Sequence, residues 1–180
     1  MRAGLVPKLI GLCEFHDLSQ EGHSGFRYIQ GLFDFPQEHV MKILLAVDGS
    51  EFTKKMLAYI TTHEELFSPN NSYTLLTVNP QLPPRARAAV GKEVVETYQR
   101  EEAEKVLGPV TKFLLRHNID AKTISKVGHA GEIISKTADS GKFDLVVMGS
   151  HGHGTLGNLV MGSVATQVLA HCKVPVLLVR

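Results

Sequence analysis

The sequence predicts an α/β fold, an open five-stranded parallel sheet with helices on both faces. Three observations carry that expectation. From Met41 onward, short aliphatic runs alternate with longer segments whose apolar residues recur every three to four positions, the pattern of successive βαβ units. The apolar run Phe143 to Met148 has the length of a buried strand and ends abruptly in Gly149-Ser150-His151-Gly152, after which Gly162-Ser163 opens a helical segment. Asp48 follows directly on the first strand run. With right-handed crossovers, ligands of such sheets bind beyond the carboxyl ends of the strands, where the strand order reverses. Asp48 and Gly149 are therefore expected to share one crevice.

Residues 1 to 40 stand apart from this pattern. Gly11-Leu12-Cys13-Glu14-Phe15-His16-Asp17 and Gly22-His23-Ser24-Gly25-Phe26-Arg27-Tyr28 hold no period of 2 or 3.6. Lys8 with Leu9-Ile10-Gly11-Leu12 makes a poor signal peptide, because the apolar core is short and no cleavage pattern follows. Met41 then reads as a fresh beginning. The expected organisation is an N-terminal extension over 1–40, contributing little to the fold, and a domain over 41–180; an appendage that packs on the domain or on a partner is the alternative.

Lys42 to Val47 is the first strand. Ser50 is placed to cap a helix carrying Phe52, Met56, Leu57 and Ile60 on one face. Pro69-Asn70-Asn71 is turn chemistry. Tyr73 to Val78 is the second strand, closed by Asn79-Pro80, and Gln81 to Ala89 reads as a proline- and arginine-rich loop. A long helix is expected from Lys92 to His117, with Val106, Leu107, Val110, Phe113 and Leu114 as its apolar face and a kink or break near Leu107 imposed by Pro109. Ala121 to Val127 is the third strand. Ala130 to Ala138 is a short helix with Ile133, Ile134 and Ala138 inward, Phe143 to Met148 the fourth strand and Gly162 to His171 the last helix. Val174 to Val179 closes as the fifth strand, with Pro175 near its start, a position compatible with a sheet edge.

Composition narrows the function classes. With 180 residues, the chain is long enough for one well-buried domain and short for two. Hydrophobic content of 43%, charged content of 21% and a mean hydropathy of +0.01 are those of a globular chain. A net charge of +1 gives no field that would advertise nucleic acid or a membrane surface. No apolar run approaches the roughly 18 residues that span a bilayer. The two cysteines, Cys13 and Cys172, make neither a disulfide framework nor a CxxC site, so a reducing cytoplasm is the expected setting.

The glycine loop points to phosphate. Glycine lets the backbone approach an oxygen with no Cβ in the way. The first turn of a helix offers N–H groups without helical partners and a partial positive charge. The spacing Gly149-x2-Gly152-x9-Gly162-Ser163, set between a strand and a helix, would arise by chance in about one chain of this length per hundred at a glycine content of about 7%. It matches the G-x2-G-x9-G-[ST] signature of the universal stress protein family, and the sequence from Met41 to Arg180 resembles the nucleotide-binding branch of that family. The resemblance implies a Rossmann-like sheet of order 3-2-1-4-5, a pocket for ATP (or ADP or AMP) with Mg2+ as a possible companion, and a homodimer through the C-terminal edge strand. Carried over position by position, it assigns Asp48 to ribose or a metal-bound phosphate, with Ala46 and Val47 lining the pocket beside it. Val78 falls where the backbone of the second strand reads adenine, although many relatives have His-Val where this chain has Thr77-Val78. Met148 and Gly149 flank the ribose. Gly152, Gly162, Ser163 and Val164 present N–H or hydroxyl groups to phosphate.

Each of these residues has a plainer reading. Asp48-Gly49-Ser50 is also a turn and a helix cap, Ser163 an N-cap, and Met148 and Val78 core residues. His151 and His153 are able to donate to phosphate, yet exposed loop histidines commonly have no such role. Glu101, Glu102 and Lys105 read as a solvated helix face, and Arg85 and Arg87 as surface charge or as a lid over phosphate. Gly152 to Gly157 also satisfies GxGxxG, but the acidic residue that a dinucleotide site expects at the end of the next strand is missing, since that strand runs to Arg180. A P-loop fails at Asn158, where its lysine should stand. With no general base or nucleophile positioned by any pattern, a binding module is expected, the alternatives being a weak metal-dependent ATPase or phosphotransferase and a nucleotide-independent dimeric scaffold.

Overall fold

The computed structural model describes residues 40–154 and 161–180. The expectations for 1–39, Cys13 among them, and for the second half of the GxGxxG overlap lie outside the described residues. The elements run β1 (Lys42–Ala46), α1 (Glu51–Thr62), β2 (Ser72–Asn79), α2 (Pro84–Val90), α3 (Lys92–Leu115), β3 (Ala121–Val127), α4 (Ala130–Ser140), β4 (Leu145–Gly149), α5 (Ser163–His171) and β5 (Val176–Val179).

The strands form one five-stranded sheet in the order β3-β2-β1-β4-β5, and every pairing is parallel. β1 is central. Its Ala46 stands opposite Leu76 of β2 and Met148 of β4, so β1 and β4 end almost side by side while β2 runs on to Asn79. The strand-to-strand step from β1 runs first to β2 and then, after β3, back across to β4. That reversal opens the crevice between the β1 and β4 ends.

The sequence of β1 explains why both faces are covered. Side chains alternate across a strand, and here both sets are apolar. Ile43, Leu45 and Val47 pack with Met56, Leu57 and Ile60 of α1 and with Leu107, Val110 and Leu114 of α3. Leu44 and Ala46 pack on the opposite face with Ile134 and Ala138 of α4 and Ala165 and Val168 of α5. Burying each such aliphatic side chain stabilises the fold by roughly 1.5–3 kcal/mol, so the two layers fix β1 and leave its carboxyl end rigidly placed.

Several expectations are corrected. Gln81 to Ala89 is not wholly a loop, because Pro84–Val90 forms α2. Pro84 occupies the first turn, where a missing N–H costs nothing, and Arg85, Ala86, Arg87, Ala88 and Ala89 are strong helix formers. Gly91, at φ 82, separates α2 from α3, a conformation that side chains other than glycine rarely adopt. α3 runs unbroken through Pro109. The buried residues Ala103, Leu107, Val110 and Leu114 bracket the proline and hold both halves against the sheet, which outweighs the lost donor. Phe52 is only half-buried, and Thr53 takes the inward position of that turn. β4 begins at Leu145 and β5 at Val176, each two residues later than the apolar runs suggest. Phe143 is buried before β4 starts, with its backbone N–H donating to Ala138 O at 3.1 Å. Among the described residues, no helix is long and apolar enough to cross a membrane.

Candidate functional site

Beyond the carboxyl ends of β1 and β4 lies a cavity of about 410 Å³, within the range of about 300–1,000 Å³ typical of ligand pockets. The structure brings all the sequence-selected residues to it: Ala46, Val47 and Asp48 from the end of β1, Val78 from β2, Met148, Gly149, His151 and Gly152 from β4 and its loop, and Gly162, Ser163 and Val164 from the start of α5. Arg85 and Arg87 do not line it; they stand exposed on α2. Glu102 and Lys105 form an exposed pair at 2.5 Å on α3, far in role from the crevice.

One end of the cavity is apolar. Leu76, Val78, Ala130, Ile134, Met148, Val164 and Ala165 line it. The register makes one polar feature of this end. Val47 N–H donates to Leu76 O at 2.9 Å, so Leu76 turns its peptide groups toward β1. Alternation then turns those of Val78 the same way, past the point where β1 has ended at Ala46. A flat, apolar group entering here meets one backbone donor and one acceptor.

The other end is built around Asp48. Its Oδ1 accepts from Ser50 N–H at 2.9 Å and from the Thr53 hydroxyl at 2.8 Å. Asp48 N–H donates to Thr53 Oγ1 at 3.2 Å. Its other oxygen, Oδ2, faces Gly152, where a Cβ would stand 2.5 Å from it. The β4 loop is tied to the same residue by His153, whose Nε2 lies 2.8 Å from Asp48 O. His151 is buried, with Nδ1 3.0 Å from Ser150 Oγ and its ring 4.9 Å from that of Phe52. Phe52 also explains Gly149, since a Cβ there would stand 2.6 Å from Phe52 Cβ.

Gly162 is held differently from the expectation that it offers its N–H to phosphate. That N–H donates to Ser150 O at 2.9 Å, closing the ends of the glycine loop on each other. A Cβ at 162 would meet Ser150 O and His151 Cα, each at 3.2 Å, so a side chain there would press on the backbone of the loop. The donors at this end are the N–H groups of Ser163, Val164 and Ala165, which open α5 and have no partner within the helix. Thr166 N–H, donating to Gly162 O at 3.0 Å, makes the first helical bond. Three outward N–H groups and the positive end of the α5 dipole suit an anion.

Thr53, Leu76, Ala130, Ile134, Ser150 and Ala165 line the cavity without having been singled out in the sequence. Thr53 carried a faint signal, a hydroxyl three residues after the Ser50 cap. The others are ordinary core or loop residues whose role is positional. Among the described residues, no group of three or more His, Cys, Asp or Glu side chains is placed to hold a metal. A Mg2+ ion that takes one carboxylate and completes its shell with phosphate and water is compatible with Asp48 alone. Cys172 is a free thiol at the C-cap of α5, and its burial pushes the thiol pKa up, away from a reactive thiolate.

Comparison with known proteins agrees with this architecture. The sequence model of the universal stress protein family matches residues 39–180. A universal stress protein of Thermus aquaticus is 33% identical over 139 residues, covering 77% of this chain and 97% of the relative. Universal stress protein Slr1230 of Synechocystis is 32% identical over 141 residues, 78% of this chain, and the match spans only 43% of the length of that relative. Among solved structures, MJ0577 of Methanocaldococcus jannaschii superposes with a TM-score of 0.66 at 27% identity, covering 78% of this chain and 96% of its own. The universal stress protein from Archaeoglobus fulgidus, solved in complex with dAMP, shares the fold with a TM-score of 0.53 at 20% identity, over 78% of this chain and 98% of its own.

Proposed function

This chain belongs to the universal stress protein family, and we propose that it is a stress-response binding module that holds ATP, or the related ADP or AMP, as a signal or structural ligand. The observation that carries the reading is the meeting, in one cavity, of an apolar cleft, an aspartate and a glycine-gated helix N-terminus. Adenine takes the apolar end, where Val78 N–H and C=O complement its ring nitrogen and amino group. Asp48 accepts from ribose or holds a phosphate-bound Mg2+ ion. The phosphates lie against the N–H groups of Gly152, Ser163 and Val164. The dAMP complex of the Archaeoglobus fulgidus protein supports an adenine nucleotide in this fold.

Bound Mg2+ would supply neutralisation of phosphate charge. The chain's own residues bind and orient; the hydroxyl–imidazole pair in the cavity wall, Ser150 and His151, is buried, with the ring nitrogen facing the serine hydroxyl. Slow hydrolysis or phosphotransfer is the second reading, and it requires metal-dependent turnover that vanishes in Asp48→Ala. A nucleotide-independent scaffold is the third. Pairing through β5, whose outer edge has no partner strand among the described residues, supports a homodimer. We assign the domain to 41–180, with 1–40 as an extension, and the setting to the cytoplasm, in keeping with two cysteines that form no framework.

The test is direct. Purified protein is denatured and the released small molecules are resolved by anion exchange with mass detection, followed by calorimetric titration with ATP and Mg2+. Stoichiometric adenine nucleotide, or saturable binding, is expected. Gly162→Val brings a branched Cβ to 3.2 Å from Ser150 O and His151 Cα and should abolish binding, whereas a scaffold would keep its partner. Absence of binding in both experiments would remove the nucleotide reading.

A further inference from the structure

The geometry points to Thr53 as a positioning residue of this site, one whose hydroxyl selects the carboxylate oxygen that Asp48 presents to the ligand. The inference rests on the proposed nucleotide reading and adds to it a residue outside the glycine signature.

Thr53 sits in the first turn of α1, 3% exposed, and lines the cavity. Its single hydroxyl hydrogen goes to Asp48 Oδ1 at 2.8 Å, and its lone pairs receive Asp48 N–H at 3.2 Å. One side chain thus grips both the backbone and the carboxylate of the same residue. The grip is itself braced, because Thr53 N–H donates to Ser50 Oγ at 3.4 Å and Ser50 N–H donates to the same Oδ1 at 2.9 Å. Oδ1 therefore has two donors directed at it. Oδ2 faces the other way, against Gly152, toward the glycine loop.

The chemistry requires a group that both donates and accepts at one atom. Serine meets that requirement. Valine has the shape of threonine and neither capacity, leaving a partly buried N–H without its acceptor and a carboxylate oxygen short of a donor. An Asp48 side chain released in this way turns to recover donors, and Oδ2 leaves the direction in which it meets ribose or a metal-bound phosphate. A hydroxyl at 53 therefore acts on the ligand through Asp48.

The experiment compares Thr53→Val and Thr53→Ser, alone and with Asp48→Ala, by calorimetric titration with ATP and Mg2+. The same variants, without ligand, are followed by amide hydrogen exchange at Asp48 and Ser50. Thr53→Val is expected to weaken binding about tenfold or more and to speed Asp48 exchange. Thr53→Ser should restore both to within about threefold of the unaltered chain. In the Asp48→Ala background, Thr53→Val should bring no further loss of affinity. An additive loss there, or unaltered affinity and exchange in Thr53→Val, would overturn the assignment. A chain that binds no nucleotide at all would end the nucleotide reading, and the exchange measurement then decides the role of Thr53 by itself. If Thr53→Val fails to fold, Thr53→Ala gives the same comparison with less crowding.

Discussion

Gly152 and Asp48 come from strands about a hundred residues apart in the chain, and their contact leaves no room for a side chain. Gly152→Ala puts a Cβ 2.5 Å from Asp48 Oδ2, so the carboxylate must turn or the loop must lift. Either response disturbs the oxygen proposed to meet the ligand. Nucleotide affinity should fall by about tenfold, roughly 1.4 kcal/mol, while the midpoint of chemical denaturation moves little. Calorimetric titration beside a urea melt reads both quantities. Equal losses of affinity and stability would show that the glycine serves the fold and not the site. The same scale shows how part of the site escaped the sequence. Asp48, Gly149, Gly152 and Gly162 form a spaced pattern and were legible in it. Thr53 became visible only when the Asp48 side chain was seen folded back onto it.

At the scale of elements, α3 contains the clearest conflict between local preference and tertiary packing. Pro109 lies exposed inside a 24-residue helix and leaves Lys105 O without its helical donor. Its neighbours Leu107 and Val110 are buried in the layer that covers β1, and that layer keeps the helix continuous. Pro109→Ala should therefore stabilise the protein by about 1–3 kcal/mol, raising the thermal midpoint without altering nucleotide affinity. A neutral or lowered midpoint would mean that a bend at Pro109 is part of the fit to the sheet. α2 shows the opposite case. It has no buried residue, and its proline-flanked, arginine-bearing composition resembles a loop until the helix is seen.

For the molecule as a whole, the open question is what covers the edges of the sheet. Among the described residues, β3 and β5 each pair on one side only. β3 carries exposed Lys122 and Lys126, charges that discourage edge-to-edge association. β5 is Val-Leu-Leu-Val, with three of its four residues half-buried and no charge within it. The proposed homodimer is therefore assigned to β5. Sedimentation velocity over a dilution series should show a dimer at micromolar protein, and Leu177→Lys should shift the population to monomer. A monomer at every concentration would sink the β5 pairing without touching the proposed nucleotide site, whose lining comes from a single chain.

The sequence alone determined the alternation of five strands with helices, the cover on both faces of the sheet and the glycine spacing at the end of the cavity proposed to hold phosphate. These properties are periodic or local, and hydrophobic periodicity records burial directly. Periodicity does not record which strands are neighbours, so the order β3-β2-β1-β4-β5 was expected from family resemblance and is seen in the pairing itself. Only the tertiary structure decided that Gly162 N–H closes the loop instead of facing the ligand, that α3 survives its proline, and that Thr53 and His153 hold Asp48 from two sides. Each of these depends on the direction of a single polar atom across distant segments. A hydrogen bond is set by such directions, whereas the pattern of apolar residues fixes only which face of each element turns inward.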